Sequence, residues 1–199
     1  MDLKMINRRL IICITGMPGS GKSTVAEALQ RNGFEIISMG DVIRSEVEKK
    51  GLELNDKNLG IVMEAVRKEL GLGAVAKLCL PKILKSESKY IAIDGIRSMH
   101  EVEVFKQFGE VKLLAIHASP IRRFQLLKKR GRLDDPESWI AFQNRDQREL
   151  NVGVGEAIAL ADEVISNNSV TKEELQVEAI KIVRRWLNLF ENPTIPISN

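Results

Sequence analysis

The chain has 199 residues, of which 44% are hydrophobic and 29% are charged, and its formal net charge is +3 at pH 7. This composition excludes a fibrous or intrinsically disordered chain and predicts one globular domain. The mild positive charge permits anionic substrates without requiring nucleic acid. The first apolar run, Leu10 to Ile14, is too short for a signal-peptide core or a membrane span, so we expect a cytoplasmic protein with no membrane partner.

Buried strands alternate with helices in the first half of the chain. Residues 10–14 are continuously apolar and precede a glycine-rich turn, which is typical of a strand covered on both faces of a parallel sheet. A helix is predicted from Lys22 to Gln30 and a short strand from Phe34 to Ile37. Residues 40–85 have a helical pattern broken at three points, which predicts roughly three helices inserted between two strands.

The alternation continues in the second half of the chain. Three further apolar runs predict strands at Tyr90–Ile93, Val111–Ile116 and Val164–Ser166. The segments between them predict helices at 99–108, 120–129 and 136–150, the last one capped by Asp134 or Asp135, and a loop at 151–155. A final helix begins at the capping box of Thr171 and Glu174 and ends near Phe190.

This order of elements predicts an α/β fold in three layers, with a central five-stranded parallel sheet covered by helices on both faces. We expect a single domain over residues 1–190, with its core at 8–38 and 88–190, followed by a loose tail at 191–199. Ligands of such sheets bind beyond the carboxyl ends of the strands. The residues that follow strands are therefore the candidates for a functional site.

One of these segments carries a phosphate-binding motif. Eight consecutive residues match G-x-x-x-x-G-K-[ST], the P-loop: Gly16-Met17-Pro18-Gly19-Ser20-Gly21-Lys22-Ser23. The glycines let backbone N–H groups wrap around phosphate oxygens, and the helix that begins at Lys22 offers its positive end to the same anion. We predict that these residues and Thr24 bind ATP, with Lys22 reaching the β- and γ-phosphates and Ser23 ligating magnesium.

Asp94 follows the apolar residues 90–93 and is a second candidate for the metal. In P-loop proteins, a carboxylate that follows a buried strand organises magnesium directly or through water. We therefore predict that Asp94 and Ser23 hold magnesium, and that Lys22 and Asp94 are catalytic. An aspartate in this place is also a common turn former, which is the alternative.

Two further segments resemble adenylate kinase and related nucleoside monophosphate kinases. Residues 38–44, S-M-G-D-V-I-R, resemble the family's S-T-G-D-L-L-R, and residues 94–97, D-G-I-R, resemble its D-G-F-P-R without the proline. The resemblance implies that Arg44 and Arg97 grip the phosphate of an acceptor molecule. It also implies that residues 39–87 form a helical acceptor-binding insertion.

Three other residues are assigned to the acceptor with less support. Asp41 either acts on the acceptor or caps the helix that contains Arg44. Arg67 is a third candidate arginine on the insertion, or a surface charge. Glu101 stands where adenylate kinase has a glutamine that reads the adenine of its acceptor, or it is an exposed helix residue.

The strongly basic run 122–132 ends in a segment that resembles a lid. Residues 130–135, R-G-R-L-D-D, resemble the lid of UMP/CMP kinase in shortened form, which implies a short lid at 130–137. Arg130 and Arg132, with Arg145 on the next helix, would then close over the transferring phosphoryl group, and Asp134 and Asp135 would hold these arginines when the lid is open. Read alone, the basic run is also compatible with a nucleic-acid patch or a solvated helix face.

Residues 161–167 resemble a segment near the end of dephospho-CoA kinase, which implies that Asn167 borders the adenine of ATP. Taken together, the resemblances imply an ATP- and magnesium-dependent small-molecule kinase of the nucleoside monophosphate kinase class. It would act on ATP and a small phosphorylated acceptor, as a monomer or homodimer. Two alternatives stay open: transfer to a sugar hydroxyl with Asp41 as base, and a regulatory ATPase that acts with a protein or RNA partner.

Overall fold

The apolar runs of the sequence form one parallel sheet. The computed structural model describes residues 8–193. Within this range the strands are β1 (Leu10–Thr15), β2 (Glu35–Ser38), β3 (Tyr90–Ile96), β4 (Glu110–His117) and β5 (Glu163–Ser166). They pair in parallel in the order β2-β3-β1-β4-β5. All six residues of the central strand β1 are buried, as its unbroken apolar pattern predicts, and the predicted five-stranded α/β fold is confirmed.

Helices connect the strands and cover both faces of the sheet. They are α1 (Lys22–Arg31), α2 (Met39–Lys49), α3 (Asp56–Leu70), α4 (Ala74–Lys85), α5 (Met99–Lys106), α6 (Pro120–Arg130), α7 (Trp139–Val152), α8 (Val154–Ala159) and α9 (Lys172–Glu191). The three helices α2, α3 and α4 form the predicted insertion between β2 and β3. Among the described residues, no helix is long and apolar enough to cross a membrane.

Successive side chains of β1 enter two separate cores because side chains alternate across a strand. Ile12 belongs to a cluster that includes Leu29 of α1 and Trp186 of α9. Ile11 belongs to a cluster that includes Cys79 of α4 and Phe105 of α5. The sheet is therefore the middle layer, with α1 and α9 on one face and the inserted helices with α5 on the other.

Strand β3 is longer than its apolar run predicts. It continues through Asp94 and Gly95 to Ile96, which pairs with Thr15 across a register shift in β1. Gly95 has φ +103, a conformation that side-chain-bearing residues rarely adopt, and this glycine allows the strand to bend there. Asp94 is therefore held inside a strand and does not belong to a turn.

Two predictions around α7 were wrong. The helix begins at Trp139, and its cap is Ser138, whose hydroxyl accepts a hydrogen bond from the Ala141 amide. The predicted caps Asp134 and Asp135 are unable to serve because arginine side chains bind their carboxylates. The predicted loop at 151–155 is instead the junction of α7 and α8, and only Gly153 separates the two helices.

The last helix extends one residue past its predicted end. Helix α9 reaches Glu191, whose carboxylate binds Lys89 and Tyr90 at the start of β3. The predicted tail at 191–199 therefore begins with a helical residue. Its last six residues, 194–199, lie outside the described residues.

Candidate active site

A cleft of about 500 Å³ opens beyond the carboxyl ends of the central strands. It is where parallel sheets bind ligands, and most of the predicted site residues line it. These are Gly16, Pro18, Gly19, Gly21, Lys22, Ser23, Thr24, Arg44, Asp94, Arg97, Arg130, Arg132, Arg145 and Asn167. Five predicted residues are not part of its lining: Met17, Ser20, Asp41, Arg67 and Glu101.

The P-loop is packed tightly against the strand and helix beside it. Gly16 has φ +141, and a Cβ at this position would lie 2.2 Å from the carbonyl oxygen of Ile116 in β4. A Cβ at Gly19 would lie 2.7 Å from the carbonyl oxygen of Arg123 in α6. Both glycines are therefore required by space as well as by backbone conformation, and the loop is fixed before any ligand binds.

Asn167 fastens the P-loop to the segment between β5 and α9. Its side-chain amide donates a hydrogen bond to the carbonyl oxygen of Ser20 at 2.8 Å, and its backbone N–H donates to that of His117 at 2.7 Å. Asn167 lines the cleft as expected. The observed contacts give it a second task, which is to hold the loop in place.

Lys22 folds back onto its own loop. Its Nζ atom donates hydrogen bonds to the carbonyl oxygens of Gly16 at 2.7 Å and Met17 at 3.1 Å. Burial lowers the pKa of Lys22 to about 8, although the nearby Asp94 carboxylate acts in the opposite direction. Within residues 8–193 the ammonium group thus has carbonyl oxygens as its only hydrogen-bond partners, and it is available to a stronger anion.

Asp94 is the buried carboxylate of the cleft. Its Oδ1 atom is buried and has no hydrogen-bond partner among the described residues. Burial raises the pKa of Asp94, and Lys22 and Arg97 counteract this shift. A buried oxygen without a partner is costly unless something else satisfies it. Together with the Ser23 hydroxyl, it supplies the oxygen donors that magnesium prefers, so these residues fit the predicted metal.

Arg97 lines the cleft, and two hydrogen bonds fix its side chain. Its Nε donates to Glu149 of α7 at 2.8 Å, and its Nη1 donates to the Gly95 carbonyl oxygen at 2.7 Å. Sequence analysis did not single out Glu149. The available signal was its position four residues after Arg145, which places both side chains on one face of a helix.

Arg67 and Glu101 lie behind the cleft wall and form an ion pair, with 3.5 Å between Nη2 and Oε1. Glu101 is fully buried, burial raises its pKa, and its Oε2 accepts the backbone N–H of Arg97 at 2.7 Å. Neither the exposed position considered for Glu101 nor a direct place for it on the cleft surface is observed. Its contact supports the backbone of Arg97.

Asp134 connects the segment predicted to be a lid to Arg44 of α2 and Arg145 of α7. The Asp134 carboxylate lies 3.3 Å from Nη2 of Arg44, and its backbone carbonyl accepts a hydrogen bond from Arg145 at 2.7 Å. Burial opposes ionisation of Asp134, but Arg44 and Arg145 hold its pKa below the ordinary value. Arg44 also binds Asp41 at 2.6 Å. Asp134 therefore bridges an arginine of α2 and an arginine of α7.

The second lid carboxylate, Asp135, binds the side chain of Arg130 and accepts the backbone N–H of Arg132 at 2.9 Å. The carboxylates of Asp134 and Asp135 thus bind the side chains of Arg145 and Arg130, whereas Arg132 is bound through its backbone N–H. The expectation that they hold these arginines when the lid is open stays a prediction. In the basic run, however, Arg123 is buried and forms two hydrogen bonds with Asp146, at 2.7 and 2.5 Å. Arg123 is therefore not part of an exposed basic surface, whereas residues 128–132 of the run are exposed.

Comparison with known proteins identifies the family. Residues 15–141 match the AAA domain family. A UPF0200 protein of Pyrococcus abyssi is 47% identical over 177 residues, which cover 86% of this chain and 95% of that protein. A UPF0200 protein of Methanocaldococcus jannaschii is 46% identical, over 92% of this chain and 93% of its own length. The chain belongs to the UPF0200 family.

Solved structures place this UPF0200 chain among P-loop kinase folds. TT1252 from Thermus thermophilus superposes with a TM-score of 0.64 at 20% identity, over 91% of this chain and 99% of that one. Shikimate kinase from Acinetobacter baumannii, in complex with shikimate, superposes with a TM-score of 0.57 at 18% identity, over 89% and 94% of the two chains. At these identities the similarity shows a shared fold.

Proposed function

We propose that this protein is an ATP- and magnesium-dependent small-molecule kinase of the nucleoside monophosphate kinase class, which transfers the γ-phosphate of ATP to a nucleotide-like acceptor. The observation that supports it most is the distribution of charge in one cleft. Lys22 and the P-loop line the same cleft as Arg44 and Arg97, and Asp134 connects Arg44 to Arg145. A donor phosphate and an acceptor phosphate would then meet between them.

Phosphoryl transfer in this cleft would depend on how the two substrates are positioned and on the positive charge around the transferring group. Phosphoryl transfer requires the attacking and leaving oxygens to be in line and its spread negative charge to be stabilised. Lys22 would leave its carbonyl partners to bind the donor phosphates, and Arg145 would leave Asp134 to face the transferring group. Magnesium, when bound beside Asp94 and Ser23, would neutralise charge on the β- and γ-phosphates.

A second acceptor chemistry, transfer to a hydroxyl, has one observation in its favour. The buried Oδ1 of Asp94 lacks a partner, and burial raises the pKa of this carboxyl, which suits a general base. Asp41, the base considered from sequence, is exposed and paired with Arg44. Asp94 would then be the better candidate to accept the hydroxyl proton.

A panel of acceptors tests the proposal. The protein is incubated with Mg-ATP and, in turn, AMP, CMP, UMP, GMP, the deoxynucleotides, dephospho-CoA and shikimate, and ADP formation is followed. The proposal expects at least one nucleotide to stimulate ADP formation strongly. Stimulation by dephospho-CoA or shikimate alone would favour the hydroxyl acceptor. Steady hydrolysis that no compound stimulates would refute both and leave the regulatory ATPase.

The charge of Lys22 predicts a pH dependence of ATP binding. The free protein loses this proton near pH 8, whereas the bound triphosphate favours the charged form. Binding above pH 8 must therefore take up a proton, so affinity should fall by up to roughly tenfold per pH unit between pH 8 and 9.5. Titration calorimetry with Mg-ATP measures this fall. Lys22→Arg should bind with little pH dependence, because arginine stays protonated; an unchanged wild-type Kd from pH 7.5 to 9.5 would contradict the prediction.

Replacing Arg44 is expected to weaken binding of the acceptor and to leave binding of ATP nearly unchanged. Hydrogen bonds to charged groups contribute about 1.5–3 kcal/mol, so Arg44→Met should raise the KM of the acceptor roughly 10- to 150-fold. The KM of ATP should stay within about threefold, since Arg44 lies in α2 and outside the P-loop. Arg184→Met, at an exposed position of α9, is the control. Equal rises in both KM values would mean that Arg44 is not an acceptor residue.

A further inference from the structure

Arg97 is held at three atoms, which is unusual for a residue expected to bind a substrate. Its backbone N–H donates to Glu101, its Nε donates to Glu149, and its Nη1 donates to the Gly95 carbonyl oxygen. Nη2 is the terminal nitrogen that none of these contacts uses. The side chain is therefore fixed in one orientation with that nitrogen left over for a ligand in the cleft that Arg97 lines.

Of these three partners, Glu149 is the one that lies on α7, the helix that follows the predicted lid at 130–137. It is only 6% exposed and lines the same cleft as Arg97. Its position on α7 is one helical turn after Arg145, whose Nη1 binds the lid at Asp134. A movement of α7 with the lid would therefore move Glu149 and Arg145 together.

The local backbone explains why such a partner is needed. Arg97 directly follows Ile96, the last residue of β3, and the segment lacks the proline found in D-G-F-P-R. A proline restricts the backbone before an arginine. Here that residue is Ile96, which follows Gly95 and the register shift between β1 and β3. A buried carboxylate that accepts the Nε–H restores a defined side-chain direction.

We propose that Glu149 is a positioning residue that aligns Arg97 for the acceptor phosphate. Because Glu149 lies on α7, the helix that follows the predicted lid, it would also couple this alignment to the position of that helix. The proposal rests on the proposed kinase function and deepens it. Glu149 neutralises most of the charge of Arg97 when the cleft is empty. The acceptor phosphate then binds to the remaining N–H groups of Arg97 and to Arg44, while Glu149 keeps the guanidinium plane in place.

Steady-state kinetics with the fastest acceptor of the panel provide the first test. Glu149→Gln keeps the shape and removes the charge, and we expect it to raise the acceptor KM about 10- to 100-fold with the ATP KM within about threefold. Glu149→Asp should recover part of the loss. Glu156→Gln, which removes the same charge from an exposed position in α8, is the matched control and should behave as wild type.

A double-mutant cycle separates positioning from general destabilisation. If Glu149 acts through Arg97, then Glu149→Gln should cost little further in the Arg97→Lys background. Additive losses in the cycle, or an acceptor KM of Glu149→Gln equal to wild type, would overturn the proposal while the kinase function stands.

A binding measurement tests the same inference without catalysis. In protein with ¹⁵N-labelled arginine, the Nε–H signal of Arg97 should be protected from exchange in the wild type and in Glu156→Gln, and lost in Glu149→Gln. Titration calorimetry with inorganic phosphate, added in the presence of Mg-ADP, should give an affinity at least fivefold weaker in Glu149→Gln than in the wild type. Equal phosphate affinity in the two proteins would refute the positioning role, whereas failure of every acceptor with wild-type protein would refute the proposed function alone.

Discussion

Lys22→Met is expected to lower kcat for ATP turnover by about 10²–10³-fold, the usual cost of removing a single donor that stabilises transition-state charge. It should also raise the KM of ATP, because Lys22 would bind the ground-state phosphates as well. Among the residues that the structure describes, the Nζ atom of Lys22 donates hydrogen bonds only to carbonyl oxygens of its own loop. Its ammonium group is therefore held ready without a competing carboxylate contact. ADP formation under saturating ATP and the best acceptor measures the loss.

The same variant should leave the fold intact. Lys22 is partly desolvated, as its lowered pKa indicates, so replacing it with methionine removes a buried charge and should not lower the thermal unfolding temperature. Lys181→Met, on the exposed surface of α9, is the matched control for activity. Residual turnover above about one tenth of wild type would show that the P-loop lysine has no catalytic part here.

Arg123→Met is expected to destabilise the folded protein by about 3–5 kcal/mol, the usual cost of removing one partner of a buried ion pair. Arg123 is 3% exposed, and its guanidinium also donates to the carbonyl oxygens of Ala118 and Pro18. Asp146 would be left without its partner at the junction of α6, α7 and the P-loop. For a chain of this size, the unfolding temperature should fall by roughly 6–20 °C in differential scanning calorimetry.

A second replacement isolates the cause of that loss. Adding Asp146→Leu to Arg123→Met removes the unpaired carboxylate and should recover a large part of the stability. Lys129→Met, at an exposed position of the same helix, is the comparison for charge removal alone. A drop of less than about 2 °C for Arg123→Met would mean that the pair does not hold these elements together.

The features predicted correctly from sequence are those whose cause is local. The P-loop is a contiguous motif, and β1 is a contiguous apolar run, so both were recognisable without knowledge of any distant residue. The insertion of α2, α3 and α4 followed from breaks in the helical pattern. In each case, one stretch of chain contains both the signal and the structure it produces.

The features that were missed depend on contacts between distant residues. Helix α7 begins at Trp139 with Ser138 as its cap, whereas Asp134 and Asp135 are bound by arginines, one of them 90 residues away in α2. Glu149 reaches Arg97 across 52 residues, and no periodicity or motif links the two. Arg67 and Glu101 are typical surface residue types, and only the packing of α3 against the cleft wall turns them into a buried pair.

The bridge from Arg44 through Asp134 to Arg145 has a consequence for selectivity under the proposed function. An incoming acceptor must displace a carboxylate that belongs to the same molecule, and short tethers give such groups effective concentrations in the millimolar range. A singly charged ligand would bind Arg44 about as strongly as the Asp134 carboxylate does and would not displace it at ordinary concentrations. A doubly charged phosphate ester would bind more strongly and displace it. Under the proposed function, Asp134 would therefore make the cleft selective for phosphorylated metabolites over carboxylic acids.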